Sequence, residues 1–204
     1  MKYKKLLYNK PINFIRTGKE IRRWAKKGRL KSPPQPFRRK IIKMYAKRFS
    51  INIFIETGTY LGNTVNAVKK NFKEIYSIEL NKGLYLKAKR RFIKDMHINL
   101  ILGDSSEKLP EILSKIDSPC LFWLDAHYSG ENTSKTNIET PITKELLCIL
   151  NHPNKNHIIL IDDSHKFIGK NDYPSISKLK EIINQYEQKV LIIKEDIIRI
   201  HNRP

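Results

Sequence analysis

Five short apolar runs, each closing on or beside an acid, set the frame for residues 51–204. They are INIFIE (51–56), EIYSIEL (74–80), INLIL (98–102, followed by Gly103-Asp104), CLFWLD (120–125) and HIILID (157–162). Helix-like stretches separate them at about 63–71, 82–94, 105–115, 139–151 and 175–187. Strands rich in β-branched and aromatic residues, alternating with helices, imply a parallel sheet with right-handed crossovers and helices on both faces. FWLD and IILID are continuously apolar, as expected of strands covered on both sides. The closing KVLII, KED and IIRIH read as a hairpin that adds an antiparallel edge. The predicted class is thus an α/β, Rossmann-like fold with a mostly parallel seven-stranded sheet and a C-terminal antiparallel hairpin.

The preceding residues have a different character. The chain of 204 residues carries a net charge of +20, but residues 1–50 hold 18 basic residues against one acid, Glu20, a net +17. Residues 51–204 are close to neutral. GKEIRRWAKKGRL (18–30) suits a short amphipathic helix, KSPPQP (31–36) is a stiff break, and Phe37, Ile41, Met44, Tyr45 and Phe49 fall at near-helical spacing. This divides the chain into a basic arm, 1–36, and a domain, 37–204. The arm suits an anionic partner such as nucleic acid, acidic saccharide or membrane phosphate, or simply a solvated surface. Ile21 and Trp24 suit seating on the body or on a second copy, a homo-oligomer. No apolar run is long enough for a transmembrane segment, and the N-terminus lacks the apolar core of a secretory signal. A cytoplasmic protein is expected, with Cys120 and Cys148 as free buried thiols rather than a disulfide.

In sheets of this kind ligands bind outside the carboxyl ends of the strands. Here those ends carry Glu56, Glu79, Asp104, Asp125 and the Asp162-Asp163 pair. Like charges on one edge repel, so stability alone is a poor reason for five of them. Glu56, Thr57, Gly58, Thr59 and Gly62 form a turn after the first strand, and Glu79-Leu80 follows the second, placed to accept both hydroxyls of a ribose. The two glycines four apart depart from the dinucleotide fingerprint, which packs three into six positions.

This pattern resembles motif I of the class I S-adenosylmethionine-dependent methyltransferases. SIEL is similar to the family's ribose-binding acid, LGDS (with Asp104 and Ser105) to its adenine loop, FWLDAHY to its fourth-strand motif, and the last hairpin to its reversed seventh strand. The resemblance covers residues 37–204 in order. It implies a class I methyltransferase fold with S-adenosyl-L-methionine held by Glu56, Thr57, Gly58, Thr59, Gly62, Glu79, Leu80, Asp104, Ser105 and Asp125.

The acceptor should lie beyond the fourth and fifth strands, where Asp125, His127, Asp162, Asp163 and His165 can converge. Three oxygen ligands suit Mg²⁺. The arrangement is similar to the metal-dependent O-methyltransferases acting on sugars of macrolide and aminocoumarin antibiotics. That likeness implies Asp125, Asp162 and Asp163 as metal ligands, with catalysis by His127 and Asp125; His127 stands where that family has an acidic base. The same acids also suit helix capping. The polar stretch 127–141, with Tyr128, Ser129, Asn132 and Thr133, suits a hydroxyl-rich acceptor, as does 166–175. The expectation is a Mg-assisted O-methyltransferase acting on a small-molecule or saccharide hydroxyl, in surface-polysaccharide or secondary-metabolite assembly. An RNA methyltransferase using the arm, and a non-catalytic scaffold, are the competing readings.

Overall fold

A computed structural model of the chain describes residues 10–29, 32–125 and 140–203, side chains of 10–17 excepted. Two helices lead, α1 (Lys10–Lys26) and α2 (Gln35–Arg48). Strands and helices then alternate: β1 (Ile53–Thr57), α3 (Asn63–Val68), β2 (Glu74–Glu79), α4 (Lys82–Arg91), β3 (Ile98–Leu102), α5 (Ser105–Leu113), β4 (Cys120–Leu124), α6 (Ile142–Asn151), β5 (Ile158–Ile161) and α7 (Ile176–Asn184). A hairpin, β6 (Lys189–Lys194) and β7 (Ile197–Asn202), closes the chain. Each expected strand and helix of the α/β pattern is present, with ends shifted by a few residues.

The seven strands lie in the order β3-β2-β1-β4-β5-β7-β6. The first five are parallel, and β7 runs antiparallel between β5 and β6. At the hairpin tip Glu195 and Asp196 both have positive φ, 53° and 57°, the geometry of a primed turn whose twist matches the flanking strands. The strand order reverses at β1, with β2 on one side and β4 on the other. That switch point opens a crevice beyond Thr57 and Leu124, which sit opposite each other in the ladder.

Alternation along the strands builds two cores. Phe54, Leu121, Trp123, Ile158 and Leu160 face α2, α3 and α4, together with Ile42, Val65, Ala88 and Phe92. Ile55, Phe122, Leu124, Ile159 and Ile161 face α5, α6 and α7, together with Leu109, Leu146 and Leu179. By the same parity Glu56 turns towards the α2–α3 layer and Thr57 towards α6.

The basic N-terminal region is joined to this body. Trp24 is buried at 8% exposure and its ring lies 4.8 Å from that of Phe37, in the same core as the sheet. Both cysteines are free thiols. Among the described residues no helix is long and apolar enough to cross a membrane.

Candidate cofactor and acceptor site

The turn after β1 is stitched to β2. Gly58 and Thr59 donate backbone N–H bonds to the Ile78 carbonyl at 3.0 and 3.2 Å, and Gly58 takes φ 85°, open to glycine without strain. Tyr60, also left-handed, donates its N–H to Glu79 Oε2 at 2.7 Å. Asn81 donates its N–H to Glu79 Oε1 at 2.9 Å. Glu79 is thus a clamp with one backbone donor on each oxygen, and a second lone pair on each remains for a ligand.

Gly62 answers to a different demand. It caps α3 with φ 67°, and a Cβ there would stand 2.6 Å from Phe92 Cε2. Its lack of a side chain serves the packing of α4 against the turn.

Below the turn runs a buried polar chain. The Thr59 and Ser77 hydroxyls meet at 2.6 Å, and Ser77 donates to Glu56 Oε2 at 2.9 Å. Burial pushes the Glu56 carboxyl up to about 8, aided by the charge of Asp125 and restrained by Ser77, Thr64 and Arg39. Burial beneath the turn thus favours the protonated form of Glu56. Thr57 Oγ1, fully buried at the end of β1, lies near Glu145 without a well-formed hydrogen bond among the described residues. Beyond Glu79, at the end of β3, Asp104 caps α5, accepting from the Ser106 N–H at 2.7 Å and its hydroxyl at 2.8 Å. Ser105 is buried in the first turn, and Leu80 is half-buried just past β2.

Sequence reasoning overlooked Glu145, which the first turn of α6 buries completely. Burial pushes it up to about 7, held back in part by the Ser105 and Thr57 hydroxyls, though neither oxygen completes a hydrogen bond. The available signal was its place in the apolar stripe Ile142, Leu146, Ile149.

The acceptor side holds a larger surprise. Arg38, in the first turns of α2, reaches both acids after β5: its Nε lies 2.9 Å from Asp162 Oδ1 and its Nη2 2.9 Å from Asp163 Oδ1. The Nε contact is close but misaligned for a hydrogen bond, so that pairing is mainly Coulombic. Lys166 adds a second cation, 3.0 Å from Asp163 Oδ2. Burial, then the charge of Asp125, pushes Asp162 well above the usual carboxylate range despite Arg38. Arg39, next along α2, is the cation nearest in effect to Glu56. α2 thus supplies a counter-charge to the pair Asp162 and Asp163.

Neighbouring contacts sew the N-terminal segment to the same edge. Arg29 pairs with Glu195 at 2.8 Å, and Ser32 donates to Asp196. Asp196 also accepts from the Ser164 hydroxyl and from His165, through its N–H and Nδ1, and these donors hold its carboxyl below the usual range despite burial.

Asp125, Asp162 and Asp163 do not assemble as a ligand triad. Among the described residues, the one set of three metal-type side chains with ligand atoms within 4.8 Å of one another is Asp163, His165 and Asp196. The expected base His127, with Tyr128, Ser129, Asn132 and Thr133, lies outside the described residues.

Against known proteins, no family model and no curated sequence matches. Solved structures do. The chain is similar to an O-methyltransferase from Bacillus cereus in complex with S-adenosylhomocysteine (TM-score 0.63, 11% identity, 97% of this chain and 94% of that one). It is similar also to TomG, an O-methyltransferase from Streptomyces achromogenes in complex with S-adenosylmethionine (0.61, 10%, 92% and 89%). A third is the S-adenosylhomocysteine-bound methyltransferase PaMTH1 of Podospora anserina (0.60, 14%, 100% of both). At such identities the likeness establishes the fold, which is that of the class I S-adenosylmethionine-dependent methyltransferases.

Proposed function

We propose that this chain is an S-adenosylmethionine-dependent O-methyltransferase acting on a hydroxyl of a saccharide or saccharide precursor in the cytoplasm. The observation that carries the reading is the Glu79 clamp at the switch point of a methyltransferase fold. It unites a glycine turn, a carboxylate with an open lone pair on each oxygen, and the capped Asp104-Ser105 corner beyond it. These groups fit the cofactor: Glu79 would take the ribose hydroxyls, Asp104 and Ser105 the adenine side, and Thr57 Oγ1 is a buried polar atom without a well-formed hydrogen bond among the described residues. Gly58 keeps the backbone close to the ligand. Glu56 and Gly62 shape the turn from beneath.

Held by these residues, S-adenosylmethionine would supply an activated methyl group for transfer to the acceptor oxygen, its sulfur keeping the electron pair of the broken bond. The chain's task is to align that oxygen and remove its proton. His127 is the proposed base, two positions in sequence after Asp125, which directly follows β4. A divalent metal does not fit the three expected ligands, because the Arg38 guanidinium already spans Asp162 and Asp163. No step is therefore assigned to Mg²⁺. The saccharide assignment rests on the hydroxyl-bearing stretch 127–141 and on the likeness of the strand-four and strand-five motifs to sugar O-methyltransferases.

A second reading, RNA as acceptor, draws on the exposed Lys19, Arg22, Arg23 and Lys26 of α1 and on Lys27 just past its end. A homo-oligomer could use the same helix. The test is release of S-adenosylhomocysteine from S-adenosylmethionine across panels of nucleotide sugars, free glycosides and RNA. Turnover with a sugar hydroxyl supports the proposal, and turnover confined to RNA replaces it with the second reading.

A further inference from the structure

We propose that Arg38 is the resident cation of the acceptor site, holding Asp162 and Asp163 in the role a divalent metal would otherwise take. The inference rests on the methyl-transfer reading for its purpose, but its evidence is independent of it. One guanidinium reaches both carboxylates at 2.9 Å, across 125 residues of sequence from Asp163. A planar, permanently charged fork suits adjacent carboxylates, and unlike an ion it cannot be chelated away.

Arg38 is also built into place. Its neighbours on α2, Phe37, Ile41 and Ile42, are buried in the core, and Phe37 meets Trp24. The Phe37 N–H donates to the Pro34 carbonyl at 2.8 Å, fixing the first turn of α2. On the other side, Asp163 holds the left-handed conformation at φ 52°, and its N–H donates to Asp162 Oδ1 at 2.9 Å. The two acids are thereby presented together to the helix.

Mg²⁺ demands near-octahedral oxygen ligands at about 2.0–2.1 Å. Here Arg38 and Lys166 engage one oxygen each of Asp163, and Arg38 engages one of Asp162. A dication would have to enter beside two positive side chains and displace one of them. The set Asp163, His165, Asp196 offers no substitute, since Asp196 already accepts from Ser32, Ser164 and His165.

The role is a positioning one: Arg38 keeps the acids paired and the acceptor wall closed against β5. It also ties the basic N-terminal region to the reaction edge, so that this region completes the site.

The test uses Mn²⁺ as the probe, followed by electron paramagnetic resonance on the full-length wild type, Arg38→Ala, and each in an Asp162→Asn background. Circular dichroism checks that every variant is folded, and Arg38→Lys replaces any that is not. Expected is no Asp162-dependent Mn²⁺ binding in the wild type, and binding at least tenfold tighter in the Arg38 variant, abolished by Asp162→Asn. Asp162-dependent binding by the wild type would overturn the inference. So would a folded Arg38 variant that gains no such site. Neither outcome depends on cofactor binding or turnover, so the methyltransferase reading stands or falls separately.

Discussion

The backbone N–H of Tyr60 donates to Oε2 of Glu79 across 2.7 Å, joining the turn after β1 to the acid that ends β2. This bond means that the acid proposed to bind the ribose also shapes the turn. Glu79→Ala leaves two backbone donors, those of Tyr60 and Asn81, without their acceptor. Each such loss costs about 1–3 kcal/mol. The expected outcome is a drop in thermal midpoint together with loss of S-adenosylhomocysteine affinity by about a hundredfold or more, read by thermal scanning and calorimetry. Unchanged affinity in a destabilised protein would confine Glu79 to the structural half of that role.

Gly62→Ala should destabilise for two separable reasons, the positive φ and the collision with Phe92. Strain and overpacking together suggest about 2–4 kcal/mol. In a Phe92→Leu background the collision is relieved and the conformational part remains. Denaturant unfolding of the two single variants and the double variant should therefore show coupling. Strict additivity would contradict the account.

Trp24→Ala tests how the basic region is held. Removing a buried indole costs about 3–5 kcal/mol in a full core, and less at an edge such as this. The expectation is a modest loss of global stability with a large rise in proteolysis between residues 18 and 34, as α1 loses its seat on Phe37. Equal protection in variant and wild type would mean that Arg29, Ser32 and Arg38 suffice to hold the segment.

Buried carboxyls shape the pH dependence. Burial raises Glu56 to about 8 and Glu145 to about 7, so between pH 6.5 and about 7.5 the folded protein keeps protons the unfolded chain has released. Stability in that window should fall as pH rises, because the unfolded state binds fewer protons. Burial lowers His157 to about 3, which acts the other way but only below about pH 6.5, where the unfolded imidazole gains its proton. Glu56→Gln, neutral at every pH, should flatten the slope between pH 6.5 and 7.5 in urea titrations. A slope unchanged by the variant would remove Glu56 from this role.

Much of this architecture was legible in the chain. Apolar runs ending on acids mark strands and their carboxyl edge together, and the KED turn announces the hairpin. The places of Glu79 and Asp104 at the carboxyl ends of β2 and β3 were legible because they follow from strand order alone. The counter-charges were hidden, since Arg38 and Asp163 are 125 residues apart and nothing local links them. Arg38 stands four residues before buried Ile42, and Glu145 three after buried Ile142. A charge within an apolar stripe was the signal, and it says that a partner exists without naming it. Magnesium was expected from the acids and from the likeness to metal-dependent O-methyltransferases, neither of which sees a cation brought in from α2. The fold sets a guanidinium from α2, the first helix of the segment read as the domain, beside Asp162 and Asp163.

The most direct test of the central claim is calorimetric titration of S-adenosylhomocysteine into the folded, full-length protein, with Mg²⁺ and again with EDTA. The account predicts one site per chain, a Kd on the order of 1–100 μM, identical in both buffers. Absence of binding in both, from a sample shown to be folded, would contradict it.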